Sequence, residues 1–274
     1  MYKFDHLVRS LPLVILLALA GCGGLPREAV QVERPAEELF AEAEQLLREA
    51  RYERAAKAFE EVERQHPYSP LATKAQLRAA YAYYEGGLFD AAIAAAERFI
   101  ELHPGHSDVP YAHYLIAISY YEQITDVSRD QSATERALVA LSRVVQLFPD
   151  SDYARDAQLK IDLVRDHLAG KEMEIGRFYA RQGRWLAAVN RFRRVVEDYQ
   201  TTSHLPEALH RLVECYLALG VEEEARRAAA VLGYNFPDSE WYRRSYALLE
   251  GRGLEPDLAA GGGLRSWLGA LWPF

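Results

Sequence analysis

The sequence lacks several features that mark common classes of protein. Among its 274 residues there are no long β-branched runs, and alanine, leucine, glutamate and arginine dominate, which favours helices over sheets. It also lacks an excess of basic residues: the formal net charge is −8, which gives no support for a nucleic-acid partner. A hydrophobic share of 50% and a charged share of 26% indicate a folded chain rather than a disordered one.

Cysteine is scarce, with only Cys22 and Cys215 present. Cys215 lies in the apolar helical stretch 212–217, which predicts a small buried thiol. Cys22 closes the short run Leu19-Ala20-Gly21-Cys22, directly after an apolar segment. These contexts differ so much that a disulfide between the two cysteines is not expected.

Catalytic and metal-binding motifs are also missing. The sequence contains neither G-x-S-x-G nor H-E-x-x-H. The stretch around Gly170 fails as a phosphate loop, because Arg165 and Glu172 replace the required glycine and hydroxyl residue. His103 and His106 flank a turn, where solvated histidines need no metal. We therefore expect no enzymatic activity, no cofactor and no metal site.

The first residues are typical of a secretory signal. Lys3 and Arg9 precede the apolar core 11–20, which is too short to span a bilayer. The ending Leu-Ala-Gly-Cys resembles the bacterial lipobox, which predicts a signal peptide over 1–21, lipidation of Cys22 and a tether over 22–35. The residue after Cys22 is Gly23 and not an aspartate, which resembles lipoproteins that are sorted to the outer membrane. We therefore expect a lipid anchor on the periplasmic face of that membrane.

From residue 36 onward, a repeat organises the chain. Turn-forming motifs recur at Pro67, Pro104, Pro149 and Pro237, and a fifth unit ends at Gln200. At fixed distances before these positions stand one small and two apolar residues: Ala55-Phe59-Val62, Ala92-Ala96-Phe99, Ala137-Leu141-Val144, Ala188-Phe192-Val195 and Ala225-Ala229-Leu232. This spacing resembles the tetratricopeptide (TPR) repeat of paired antiparallel helices. The sequence predicts an all-α superhelical array of five helix pairs, with turn glycines at Gly87, Gly183 and Gly220.

Two irregularities interrupt the repeat. An insertion over 122–131 lengthens the turn of the third unit, and an additional helix is expected over 152–170. They suggest an N-terminal lobe of three repeats over 36–151 and a C-terminal lobe of two over 152–250. A glycine-rich linker and apolar tail occupy 251–274, where Leu264, Trp267, Leu268, Leu271 and Trp272 would share one face of a short helix.

The first helix of each TPR pair lines the concave side of the array, and there the repeat frame predicts an aromatic groove. Lys74 and Arg78 border it, and the first unit also contributes Glu44 and Leu47 to the concave side. The predicted substrate groove consists of Phe40, Leu77, Tyr81, Tyr84, Tyr111, Tyr114 and Tyr121. Tyrosine offers a large contact area at little entropic cost, although any one of these rings could instead pack within the core.

Three stretches carry a resemblance to a known family: 80–84, 97–104 and 179–191, the last with its Trp-to-Asn-Arg pattern. From Cys22 to about Leu249 the sequence resembles the BamD family, the TPR lipoproteins of the outer-membrane β-barrel assembly machine. The resemblance implies a non-enzymatic subunit that docks on the barrel-forming BamA, with other Bam lipoproteins as further partners. It also implies recognition of unfolded barrel precursors by the N-terminal lobe.

By match to the same pattern, the resemblance gives Trp185, Asn190 and Arg191 a partner-binding role, with Arg191 as a contact to BamA. Taken by itself, Arg191 is expected to be a solvated residue on a helix surface. Two alternatives remain open: a periplasmic TPR scaffold for cell division or peptidoglycan machinery, and a carrier of a small ligand. An open groove without converging polar groups argues against the second.

Overall fold

A computed structural model describes residues 33–127 and 129–257. The predicted lipidation site Cys22, the signal peptide and the apolar tail 264–274 lie outside the described residues. Within the described part the chain forms eleven helices and no strands. They are α1 (Ala36–Arg48), α2 (Tyr52–Gln65), α3 (Pro70–Glu85), α4 (Phe89–Leu102), α5 (Val109–Tyr121), α6 (Ser132–Leu147), α7 (Asp152–Arg181), α8 (Trp185–Asp198), α9 (Leu205–Leu219), α10 (Glu222–Asn235) and α11 (Glu240–Glu250).

The helices pack in the order of the chain. From α1 to α10 each helix makes its most extensive contacts with its neighbours in sequence, whereas α11 packs more extensively on α9 than on α10. Helices α1, α3, α5 and α7 also touch along one side. Short connections between packed helices make the partners of each pair antiparallel. The five pairs α1–α2 to α9–α10, followed by α11, form the predicted TPR-type array, so the all-α prediction is confirmed.

The repeat residues lie in the core. Every alanine and apolar residue that the repeat frame selects before the inter-repeat turns is fully buried, including Phe59, Phe99 and Phe192. The small residue lets two helices approach, and the larger ones fill the space between units, where each buried side chain contributes about 1.5–3 kcal/mol. Cys215 is also buried with a free thiol, as predicted, and burial raises the pKa of that thiol to about 12.

Local sequence explains where the helices begin and turn. Ser69, Ser151 and Ser239, which follow the inter-repeat prolines, each accept a backbone N–H at the start of the next helix through the side-chain hydroxyl. The predicted turn glycines adopt left-handed backbone conformations, with φ of 71° at Gly87. Ala50 holds the equivalent place in the first repeat at φ 56°, where an alanine is strained.

One prediction about the middle of the chain is wrong. The expected separate helix over 152–170 is the first half of the continuous helix α7, which has 30 residues and is about 45 Å long. Gly170 does not interrupt it, because tertiary packing outweighs the ~1 kcal/mol helix penalty of a single glycine. Further along, Gly176 gives Phe192 of α8 room to approach the helix: a Cβ there would lie 2.4 Å from its ring atom Cε1.

The hydrophobic core changes partners within α7. Its first half, through Leu168, packs with α5 and α6 in one cluster. From Ala169 onward its buried residues join a second cluster with α8 to α11. Helix α7 therefore packs with the repeats on both sides of it, while the lobe boundary at residue 152 stays a prediction.

Candidate protein-binding surfaces

The predicted groove tyrosines on α5 stack against a residue that the sequence interpretation missed. Tyr153, in the first turn of α7, has its ring 5.6 Å from Tyr111 and 5.2 Å from Tyr114 between centroids. All three rings are half-buried, so each has one surface in the protein and another in solvent. The repeat frame had not been carried into α7, because a separate helix was expected there.

A polar chain continues from these rings along α7. The Tyr114 hydroxyl donates a hydrogen bond of 2.6 Å to Asp156, and Lys160 lies 2.9 Å from the same carboxylate. Burial disfavours the charged form of Asp156, but the hydrogen bonds from Tyr114 and Lys160 lower its pKa overall. The Lys160 ammonium also lies 5.6 Å from the ring centre of Tyr121. Tyr114 and Tyr121 are thus linked through α7, and the Tyr114 hydroxyl already has an acceptor.

The N-terminal end of the groove carries two cations above aromatic rings. Arg78 makes a bidentate ion pair with Glu44, at 2.6 and 2.8 Å, and lies 5.9 Å from the centre of Tyr81. Lys74 is exposed, 5.2 Å from the ring centre of Phe40, and pairs with no carboxylate in the described part of the chain. The groove border is therefore basic mainly through Lys74.

An open cavity of about 420 Å³ lies between α3, α5 and the start of α7. Lys74, Leu77, Arg78, Tyr111 and Tyr153 line it. Leu77 is buried and contributes to the floor of the cavity. This predicted groove residue therefore supports the surface from below and exposes little of its own side chain. Apolar walls with a cation at the rim suit an aromatic or aliphatic side chain of an extended peptide.

The remaining groove predictions divide between surface and packing. Tyr84 is half-buried between two core clusters and packs on Phe89 at 5.9 Å, and Phe40 packs edge-on to the buried Phe59 at 5.3 Å. Both rings therefore have structural neighbours as well as an exposed edge. The structure brings Tyr111, Tyr114 and Tyr121 into one continuous surface with α7.

The second predicted site is built around a buried carboxylate. Glu172 of α7 is only 7% exposed and receives Arg191 at 3.1 Å on one oxygen and Arg194 at 2.9 Å on the other. Arg191 lies at the surface as expected but is only half-solvated, because the buried Glu172 carboxylate requires a compensating charge. Trp185 is partly buried against the C-terminal core, and Asn190 is exposed.

Two arginines share the Glu172 carboxylate, and Arg194 also reaches Asp198 at 3.6 Å. The Arg191 and Arg194 side chains remain 37% and 49% exposed, so each can also meet an external anion. Neither Glu172 nor Arg194 was predicted, since an ion pair between different helices follows from their crossing geometry and not from spacing along the chain.

Comparison with known proteins gives a clear assignment. Residues 32–232 match the YfiO family model, described as outer membrane lipoprotein. The chain belongs to the BamD family. A relative from Caulobacter vibrioides, an outer membrane protein assembly factor BamD, is 51% identical over 89% of this chain and 80% of its own length. Proteins with the same name from Rickettsia prowazekii and Neisseria meningitidis serogroup A are 44% and 35% identical, covering 90% and 84% of this chain and 98% and 91% of theirs.

Within 33–127 and 129–257 no helix is long and apolar enough to cross a bilayer. In the same ranges no three histidine, cysteine or acidic side chains come together as metal ligands would.

Proposed function

We propose that this chain is a non-enzymatic assembly factor of the outer-membrane β-barrel assembly machinery, held at the periplasmic face of the outer membrane by a lipid on Cys22. The observation that carries the proposal is the match of most of the chain to proteins named outer membrane protein assembly factor BamD. The same match weighs against a scaffold for cell division or peptidoglycan machinery. The protein binds its partners through surfaces of the helical array, without chemistry of its own.

The groove around Tyr111, Tyr114 and Tyr153 is the proposed site for unfolded barrel precursors. It supplies half-buried aromatic faces, an open apolar cavity and the exposed cation of Lys74. Barrel precursors contain aromatic-rich strands, and each aromatic contact is worth about 0.5–1.5 kcal/mol. An extended segment of a precursor would therefore bind here by stacking and burial more than by ion pairing.

Arg191 is the proposed contact to BamA. Support comes from its place in the Trp-to-Asn-Arg pattern and from its side chain, which stays 37% exposed while it pairs with Glu172. Reversing the charge of Arg191 is a poor test, because a new carboxylate beside the buried Glu172 would destabilise the fold. Removing the charge is a better one, since Arg194 still compensates Glu172.

Co-purification with BamA tests the proposal. In detergent-solubilised membranes, Arg191→Gln should lower the yield of BamA several-fold, while the free energy of unfolding falls by no more than about 1 kcal/mol. Arg194→Gln is the matched control: it also removes one cation from Glu172 but keeps Arg191, so BamA should remain bound. A normal yield of BamA with Arg191→Gln would show that this contact is wrongly assigned.

A further inference from the structure

A second cleft lies on the opposite side of the array, between the second helices of neighbouring repeats. It has a volume of about 690 Å³, with walls formed by α4 and α6 and a floor formed by α5. Glu97 and Ile100 line one wall, Ile116 and Tyr120 the floor, and Val139 and Arg143 the other wall. We call this surface the outer cleft. None of these residues belongs to the proposed groove or to the Arg191 site.

The cleft between the first two repeats, which lies between α2 and α4, shows how the walls of such a space can be joined within the protein. There Arg98 of α4 forms an ion pair with Glu63 of α2. The hydroxyl of Tyr83, on the floor, donates a hydrogen bond of 2.8 Å to Glu60 of α2. The ion pair joins the two helices that flank the cleft, and the hydrogen bond joins its floor to one wall, so these charged groups have partners within the protein.

The repeat frame makes the two clefts directly comparable. Counted back from the inter-repeat prolines, Arg143 stands where Arg98 stands, but Ile100 replaces Glu63. The ion pair between Arg98 and Glu63 therefore has no equivalent in the outer cleft. Tyr120 and Glu97 occupy the places of Tyr83 and Glu60, yet no hydrogen bond joins them across the described part of the chain.

Arginine at this repeat position otherwise meets a carboxylate. Arg98 pairs with Glu63, and Arg194, at the equivalent place in the fourth repeat, pairs with Glu172. Within residues 33–127 and 129–257, Arg143 alone of the three has no acidic partner. Its positive charge is also felt by His113 on the cleft floor, whose pKa is lowered first by burial and then by Arg143.

The apolar residues of the outer cleft are partly or largely exposed to solvent. Val139 is 70% exposed although it faces the cleft from the middle of α6, and Ile100 and Ile116 are half-buried beside it. Along α6, Arg136, Val139 and Arg143 recur at helical spacing and form one stripe. This stripe spans about two turns, a length of roughly 11 Å, which is enough to receive a short stretch of another helix.

We propose that the outer cleft binds an amphipathic helix of another protein. Its apolar stripe would cover Ile100, Ile116 and Val139, and an acidic residue would pair with Arg143 in place of the missing Glu63 equivalent. On the opposite edge, a basic residue would meet Glu97 and its neighbour Glu101, which line the α4 wall without ion pairs in the described ranges. The bound helix thus forms with Arg143, between two proteins, the kind of ion pair that Arg98 and Glu63 form within this one.

Photo-crosslinking in cells that produce the full chain tests this proposal. A benzoylphenylalanine at Val139 should capture a partner, whereas the same residue at Ala94 should not. Ala94 is the matched control, because it is exposed, holds the equivalent repeat position and lines the cleft between the first two repeats, whose walls the Arg98–Glu63 ion pair already joins. The captured peptide should be sequenced and should contain an apolar stripe with an acidic residue within about one helical turn of the crosslink.

Two further variants separate binding at this cleft from chance proximity. Arg143→Glu should reduce capture at Val139 at least about tenfold, and changing the partner's acidic residue to arginine should restore it. Ile100→Glu should also reduce capture, because the new carboxylate can pair with Arg143 as Glu63 pairs with Arg98. Its melting temperature should fall only slightly, because Ile100 is only half-buried and the new ion pair with Arg143 offsets part of the lost packing.

Several results would overturn the proposal. They are equal capture from Val139 and Ala94, no capture from Val139, capture that is insensitive to both variants, and crosslinks to lipid or to residues 258–274 of the same chain. Because Arg143 lies far in sequence from Arg191 and outside the groove, a failure here leaves the proposed assembly function testable on its own.

Discussion

The surfaces of the N-terminal and C-terminal parts of the array differ in chemistry, although the same repeat pattern forms both parts. In the N-terminal part, aromatic rings on α5 and α7 stack on one another, and Lys74 lies above Phe40 without an acidic partner in the described ranges. In the C-terminal part, ion pairs run from α7 to α9: Arg177 contacts Glu207 at 3.1 Å, and Glu207 in turn contacts Arg211 at 3.2 Å.

The C-terminal chain of charges continues to α11. Arg211 also reaches Glu214 at 2.8 Å, and the ring of Trp241 lies between Arg211 and Arg244, at 5.7 and 5.0 Å from its centre. Cations and carboxylates there are already mutually satisfied. The comparison indicates that the groove from α1 to the start of α7 presents aromatic faces to solvent, whereas the helices from the end of α7 to α11 are joined by ion pairs.

The largest expected effect comes from breaking the C-terminal packing. Gly176→Ala places a Cβ 2.4 Å from the Phe192 ring, which is fully buried and has no room to move aside. Overpacking of this kind costs about 1–3 kcal/mol, and chemical denaturation should show that loss in the free energy of unfolding.

Gly170→Ala is the matched control, because it lies in the same helix and its Cβ would meet the side-chain end of His204 at 3.2 Å and Val127 at an ordinary contact distance of 3.5 Å. It should be neutral or slightly stabilising, since alanine favours the helix. Equal losses from the two variants would contradict the packing described for α7 and α8.

A smaller effect should appear as acid sensitivity in the C-terminal ion pairs. Burial acts to raise the pKa of Glu214, but hydrogen bonds from His210 and Arg211 lower it to about 2, below the ordinary value of 4.5. Because the folded-state pKa is the lower one, this carboxylate stabilises the fold above about pH 4.5, and the contribution is lost as the pH falls toward 2.

Thermal melts across this pH range test whether the stability that Glu214 contributes is lost as the pH falls. Glu214→Gln should melt lower than the parent near neutral pH, and the difference should shrink as the pH falls toward 2. Glu37→Gln removes an exposed carboxylate of α1 that forms no ion pair in the described part of the chain, and it should leave the pH profile unchanged. A pH-independent difference for Glu214→Gln would mean that its charge contributes nothing.

Much of the fold could be predicted from the sequence because the repeat marks its own core. Ala55 and Phe59, like their equivalents in every unit, are buried where the repeat frame requires, and Ser69 caps a helix directly after an inter-repeat proline. Continuity of α7 was not predictable in this way. Gly170 suggests a break, and only packing with the helices on both sides keeps it helical.

The candidate surfaces were predictable only in part. The repeat frame indicated which helices face the groove, and so selected Tyr111 and Tyr114, but it could not show that Tyr153 stacks on both. It likewise could not show that Glu172 ties down Arg191. Both contacts join residues that are far apart in the chain, and they depend on the angle and register at which two helices cross.

One measurement tests the central comparison most directly: photo-crosslinking of newly made barrel precursors from matched positions in the two parts of the full chain. Lys74 and Arg244 are both exposed cations above aromatic rings, at 5.2 Å from Phe40 and 5.0 Å from Trp241, so either accepts benzoylphenylalanine with little disturbance. The account predicts precursor adducts from position 74 and few from position 244. Adducts from position 244 alone would contradict it.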